Sequence, residues 1–292
     1  MAVKDLMIVC IGYLLVISLM YFFYGIFQHL SILENLFVVD VLATIFIFCC
    51  SLIWKNSSWY DAYWSVIPPV ILLLPFIYGI APDSSERMWL LITGVMFWAA
   101  RLTYNWARNW EGFSHEDWRY IRMKGSQTNP LARFLIDFTS IHLIPTLCVF
   151  LALIPAINAL YFSDTQLNSL DFFAFGILIC AVIIQIVSDQ QMYNFRQNLL
   201  NKGKTMQSGL WFYSRHPNYF GELLFWFGLV IFSLASYNFS VVNYIGFVVM
   251  YLLIAIGSVK LMDDRSLRTR PDFVAYAKNT PKIWINLFKK RF

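Results

Sequence analysis

Apolar runs long enough to cross a bilayer as helices, about 17 to 25 residues each, recur eight times along the chain. They are Leu6 to Phe27, Leu36 to Trp54, Ala62 to Ile80, Met88 to Trp106, Phe138 to Phe162, Leu170 to Ser188, Tyr219 to Ser236 and Val241 to Lys260. The polar residues between them are unevenly shared: alternate loops are long and charged, while those near Ser31, Asp83, Asp164 and Asn238 are short and carry little chemistry. With eight spans and an inside N-terminus, every Lys and Arg of the 22 except Arg87 falls on one side, the bias expected of cytoplasmic loops. The pattern predicts an all-α polytopic membrane bundle with both termini cytoplasmic and an amphipathic helix continuing the eighth span. Its membrane would be the endoplasmic reticulum in a eukaryote or the inner membrane in a bacterium.

The first run is preceded by one lysine and lacks a small-x-small cleavage site, so it reads as a retained helix and not a signal peptide. No repeat and no second soluble segment interrupts the series, which predicts one domain over residues 1–292. Pro68, Pro69 and Pro75 in the third run, and Pro145 and Pro155 in the fifth, free carbonyls that neighbours or water must satisfy. Such helices often line cavities; a simple kink is the alternative.

Composition agrees with the pattern. The chain is 59% hydrophobic and only 13% charged, against about 25% charged in soluble domains. Its net charge of +5 reflects loop topology before it reflects an anionic ligand. The cysteines, at 10, 49, 50, 148 and 180, all lie in apolar runs without metal-ligand spacing, so no metal site is expected.

The most polar and patterned stretch is Gly209 to Glu222, Gly-Leu-Trp-Phe-Tyr-Ser-Arg-His-Pro-Asn-Tyr-Phe-Gly-Glu, at the mouth of the seventh run. Arg215 and His216 can meet anionic groups, Pro217 suits a first helical turn, and Asn218 and Glu222 share a face. Such a helix start fits phosphate, ribose or amide groups. Upstream, Gln185, Asp189 and Arg196 lie on one face where the sixth run continues beyond the membrane; pairing of Asp189 with Arg196 is the structural alternative. Lys202-Gly203-Lys204 adds flexible cationic density. Asp61 stands among Trp59, Tyr60, Tyr63 and Trp64 at the start of the third run, either as a partly desolvated proton donor or as a simple helix cap. Arg101, Asn105 and Arg108 form a polar face that could hold phosphates, with pairing to Glu116 and Asp117 favoured for most of these charges. In the basic tail, Lys289, Lys290 and Arg291 suit contact with anionic lipid.

The run Arg215 to Glu222 after Ser-Gly-Leu-Trp, preceded by Asp189-Gln190 and Phe195-Arg196, resembles the C-terminal domain of the steroid 5-alpha-reductase superfamily. The nearest branch is the domain-of-unknown-function 1295 (DUF1295) family, to which the Glu116-Asp117-Trp118-Arg119-Tyr120 run is also similar. Sterol C14-reductases and, more distantly, isoprenylcysteine carboxyl methyltransferases share the Arg-His-Pro-x-Tyr core. The resemblance covers the chain from about Trp54 onwards, with residues 138–292 as the half carrying the cofactor motif.

It implies NADPH held by Asp189, Arg196, Lys204, Asn218 and Glu222, with Gln185, Arg215, His216 and Tyr219 in the same constellation and Arg265 and Tyr276 closing it. It also implies reduction of a carbon–carbon double bond in a steroid- or isoprenoid-like enone, with Asp61 at the substrate oxygen. The tyrosine expected to assist falls at Trp98, which can stack but cannot donate a phenolic proton, leaving Tyr63 or Tyr104 as substitutes. Two rival readings are a membrane methyltransferase using S-adenosylmethionine and a non-catalytic sterol- or lipid-binding protein. No nucleic-acid partner is expected.

Overall fold

The computed structural model describes residues 2–125, 127–163 and 165–289. The expected outer-loop residue Asp164 and the tail residues Lys290 and Arg291 lie outside the described residues. The architecture is an all-helical membrane bundle. Its long helices are α1 (Ala2–Ile26), α2 (Ile32–Trp54), α3 (Tyr63–Ile77) and α4 (Ser85–Asn109). After the short α5 (Trp118–Gly125), a continuous helix runs through α6 (Pro130–Ile136), a π-helical turn (Asp137–Leu143) and α7 (Ile144–Tyr161). Then come α8 (Ser169–Gln197), the single turn α9 (Leu210–Tyr213) and α10 (Pro217–Ala235). A last long helix joins α11 (Val241–Leu252), a second π-helical segment and α12 (Val259–Thr269), before α13 (Phe273–Asn279).

Among the described residues, seven helical stretches are both long and apolar enough to cross a membrane. The eighth expected span is α4, which has the length, at 25 residues, but carries Arg87, Arg101, Asn105 and Arg108 along it. The three arginines reach partners on α8, so α4 keeps its place in the bundle at lower hydropathy. The π-helical turn precedes Pro145, where a regular helix would drive the proline ring into the carbonyl one turn back. The prolines of α3 and α7 pack into the core or against neighbours and do not line the cavity described below.

Close packing of α4, α8 and α10 positions the site. At Gly221 of α10 a Cβ would stand 2.6 Å from Gln185 Cγ and 2.9 Å from the Ala181 carbonyl, and Leu178 fills the space left by Gly94 and Gly228. Small residues that let helix backbones approach are the usual means of association where lipid offers no hydrophobic drive. At the far end, Asn168 and Asp171 form a capping box at the start of α8. The same Asp171 receives Arg87 at 2.7 Å, both side chains wholly buried. Arg87 also donates to Ser163 Oγ and to the carbonyls of Thr165 and Gln166, which satisfies a cation that would be costly alone.

Candidate functional site

At the opposite end of α4, α8 and α10 from Arg87, a half-open cavity of about 180 Å³ is walled by the ends of α4 and α8, the 205–219 stretch, α12 and α13. At roughly 10–15 Å³ per water on this measure, it has room for a substantial organic group and not merely an ion. Asp189, Arg196, Arg215, His216, Asn218 and Tyr219 all line it, together with Asn105, Asn109, Arg270 and Phe273. Sequence reasoning brought the first six to one place, put Asn105 on a separate polar face, and did not single out Asn109, Arg270 or Phe273. Arg270 had a signal in its position near Arg265, while Phe273 is recognisable only once α13 is seen to fold back.

Local structure explains why these side chains converge. Gly209 has φ +61°, a conformation that favours glycine, and it turns the chain so that the Leu210 amide donates to Gln191 Oε1 of α8 at 2.9 Å. Trp211 Nε1 then donates to the Ser188 carbonyl. Pro217 begins α10, and the two preceding residues reach the tail: Arg215 pairs with Asp263 at 3.0 Å and His216 with the same carboxylate at 2.9 Å. Tyr276 of α13 donates to the carbonyls of Trp211 and Ser214, while Asp272 accepts from the amide and hydroxyl of Thr205. The tail is therefore bolted over the Arg-His-Pro turn.

Glu222 lies one turn deeper than Asn218, behind the cavity wall. It accepts from the indole N–H groups of Trp64 (3.2 Å), Trp98 (3.0 Å) and Trp226 (3.1 Å) and from Gln185 Nε2 at 2.7 Å. Arg101 stands 3.5 Å away and forms a 2.7 Å bond with Asp189. Arg101, Asp189, Glu222 and Gln185 thus make one buried network. Its tryptophan members are far apart in sequence, and no local pattern announces them. Trp98 is wholly buried and stacks on Phe225 at 4.4 Å, so its ring serves this core.

Several pairings differ from those expected. Asp189 binds Arg101 and not Arg196. Glu116 accepts from Lys124 at 2.6 Å and from the Ser57 amide, and Asp117 pairs with Arg119; neither meets Arg101 or Arg108. Arg108 donates to Asn105 and Gln190 and lies over the Tyr193 ring.

Asp61 does not meet Tyr63 or Trp98. It accepts from the Tyr120 hydroxyl at 2.6 Å, with Arg119 at 3.8 Å. Tyr63 is buried against Asp40, donating to its carboxylate at 2.6 Å, and Tyr104 is 66% exposed. Lys204 is exposed beside the cavity-lining Thr205. Arg265 sits over the Trp118 ring at 4.5 Å.

The electrostatics favour an anion. Among the described residues, the guanidinium groups of Arg196 and Arg270 have no carboxylate partner, although both line the cavity. Burial and the neighbouring Arg265 charge hold Arg270 below the usual arginine range, with Asp272 opposing. Buried Arg215 Nε and Asn218 Oδ1 have no hydrogen-bond partner, and such atoms cost free energy until a ligand or water meets them. An anionic group at the arginines with a hydrogen-bonding group at Asn218 would satisfy all four. Among the described residues, no cluster of His, Cys, Asp and Glu is arranged to hold a metal.

A family model described as "Protein of unknown function (DUF1295)" matches residues 47–280, which includes every residue discussed above except the extreme tail and α1 and most of α2. An uncharacterised protein of Schizosaccharomyces pombe is 26% identical over 260 residues, covering 80% of this chain and 74% of its own length. No solved structure matches the chain significantly.

Proposed function

The chain belongs to the DUF1295 family, and we propose that it is a membrane-embedded, NADPH-dependent reductase of a carbon–carbon double bond in a lipid-soluble enone. The observation that carries the reading is the cavity with its unpaired cations and orphaned polar atoms, built around the Arg215–Glu222 motif. Arg196, Arg270 and the flanking Lys204 and Arg265 would hold phosphate; a guanidinium fork suits that group well. Asn218 Oδ1 would accept from an amide or hydroxyl of the nucleotide. The Glu222 network fixes the α8–α10 wall on which those contacts depend. When bound, the nicotinamide supplies a hydride; the chain's task is to hold it and to exclude water. The cavity lies at the end where the basic residues concentrate, which supports a site that faces the cytoplasm.

Thermal unfolding of the purified full chain with NADPH, NADH and S-adenosylmethionine side by side tests this, since a ligand bound only by the folded state raises its apparent stability. NADPH is expected to stabilise most, and Asn218→Ala or Arg196→Ala to weaken that effect by about tenfold in affinity, the equivalent of ~1.4 kcal/mol. Stabilisation by S-adenosylmethionine alone would replace the reading with a methyltransferase. Stabilisation by none of the three would leave a lipid-binding protein.

A further inference from the structure

A second, open-sided cavity of about 450 Å³ shares Arg215 with the first. The rest of its wall comes from the π-helical segment Leu253–Ser258, with Ala255 and Ile256, from Lys260, Asp263, Asp264 and Leu267 of α12, and from Lys282 of the tail. Asp263 is committed to Arg215 and His216. Among the described residues, Lys260, Asp264 and Lys282 have no charged partner, although Lys260 and Asp264 stand four apart on α12, a spacing that invites pairing.

The surroundings of the cavity give its depth. Along the last long helix Val241, Ile245, Val248, Leu252 and Ile256 are all exposed, at steps of four, three, four and four. They form one apolar stripe, about 22 Å long at 1.5 Å per residue. The next position on the stripe is Lys260, where a lysine can reach headgroups from an apolar face. The tail supplies the same signal: Trp284, Leu287 and Phe288 are 61%, 75% and 93% exposed outside any helix, and the Trp284 ring lies edge-on to Phe220 of α10 at 6.0 Å. Water is a poor solvent for such a group, whereas the headgroup boundary of a bilayer takes it readily. The tail is held at that level, because the Arg215 amide donates to the Pro281 carbonyl at 2.9 Å and the Ser214 hydroxyl to the Ile283 carbonyl at 2.7 Å. Lys289, which the sequence marks for lipid contact, instead turns inward and donates to the Phe212 carbonyl and the Thr280 hydroxyl.

We propose that this second cavity holds the headgroup of an aminophospholipid from the surrounding leaflet, a phosphodiester beside a primary ammonium. The charges match part for part. Lys260 and Lys282 take the phosphate oxygens, the free carboxylate of Asp264 takes the ammonium, and an acyl chain runs along the stripe from Ile256 toward Val241. Two lysines alone would suit any anionic headgroup; the unpaired Asp264 opposes further negative charge and selects a head that brings a cation with it. A choline head is cationic but has no N–H, so it cannot donate to that carboxylate. The assignment does not rest on the reductase reading. It does touch the same turn, because Arg215 and Asp263 stand in this wall and also hold the Arg-His-Pro segment, so a bound lipid steadies that segment.

The test uses the full chain, delipidated in a non-ionic detergent and titrated with phosphatidylethanolamine, phosphatidylglycerol or phosphatidylcholine of the same acyl chains. Bound lipid is counted by native mass spectrometry and melting is followed in parallel. Phosphatidylethanolamine is expected to bind about tenfold more tightly than phosphatidylcholine, the worth of one charge-assisted hydrogen bond, and more tightly than phosphatidylglycerol. Lys260→Gln combined with Lys282→Gln should remove most binding of the ethanolamine and glycerol lipids alike; both lysines are exposed, so the exchange leaves the packing intact. Lys278→Gln, at an exposed lysine of α13 outside the cavity, should change nothing. Asp264→Asn should erase the preference for ethanolamine over glycerol while phosphate binding remains, a signature that loosening of the fold would not give. Equal binding of the three lipids by the wild type, or unchanged binding by the double lysine variant, would overturn the site. Glycerophosphoethanolamine, the same head without chains, is the last arm. It should bind at least about tenfold more weakly than the lipid, and equal binding would overturn the lipid assignment in favour of a soluble phosphate ester.

Discussion

Arg101 shows how a single residue joins the candidate site to stability. It forks between Asp189 and Glu222, and Glu222 in turn gathers three indoles and an amide. Arg101→Ala leaves the Asp189 carboxylate buried without its partner, a change worth about 3–5 kcal/mol in comparable buried pairs. The expected result is a large fall in the denaturant midpoint of the purified protein, with Arg101→Lys falling between wild type and alanine because it keeps the charge but not the fork. An alanine variant as stable as wild type would mean that water replaces the pair at little cost. Sequence reasoning had Asp189 and Glu222 as candidates yet could not find Arg101, Trp64 or Trp226 as their partners. Local spacing shows which residues share a helical face; it does not show which faces meet.

At the scale of elements, the legible and the illegible divide along the same line. Apolar runs and capping residues gave the long helices, because each depends on neighbours within a turn or two. Whether α13 folds back on the Arg-His-Pro turn depends on Asp272 finding Thr205 and Tyr276 finding two carbonyls, contacts more than sixty residues apart. The contact between α8 and α10 offers a direct test. Gly221→Ala must push Gln185 or the Ala181 backbone away, and overpacking of this kind typically costs about 1–3 kcal/mol. Gly176, on the same helix as Gln185 but with nothing near its missing Cβ, should tolerate alanine or gain about 1 kcal/mol from helix propensity. Comparing the two unfolding midpoints separates close approach from propensity, and equal midpoints would show that α8 and α10 can part without loss.

Across the whole molecule, the polar chemistry is segregated by depth. The cavity, the Glu222 network and the Asp61–Tyr120 pair gather toward one end, while among the described residues the other end holds a single saturated ion pair. That arrangement has a mechanical meaning. Arg87 clamps α4 to α8 through Asp171, and to the segment leading into α8, all at one extremity of long helices. With those ends pinned, parting α4 from α8 means breaking the Arg101–Asp189 pair at the other end and pivoting, as tongs do, about the clamp. A helix of 29 residues such as α8 is about 43 Å long at 1.5 Å per residue, so a tilt of roughly 5° moves its free end by ~4 Å. Spin labels near the cavity rim on α4 and α8 should therefore report a broader distance distribution than labels beside the clamp. Arg87→Met should erase that contrast by loosening the fulcrum, and equal breadth at both ends in the wild type would show that the helices move as a rigid block.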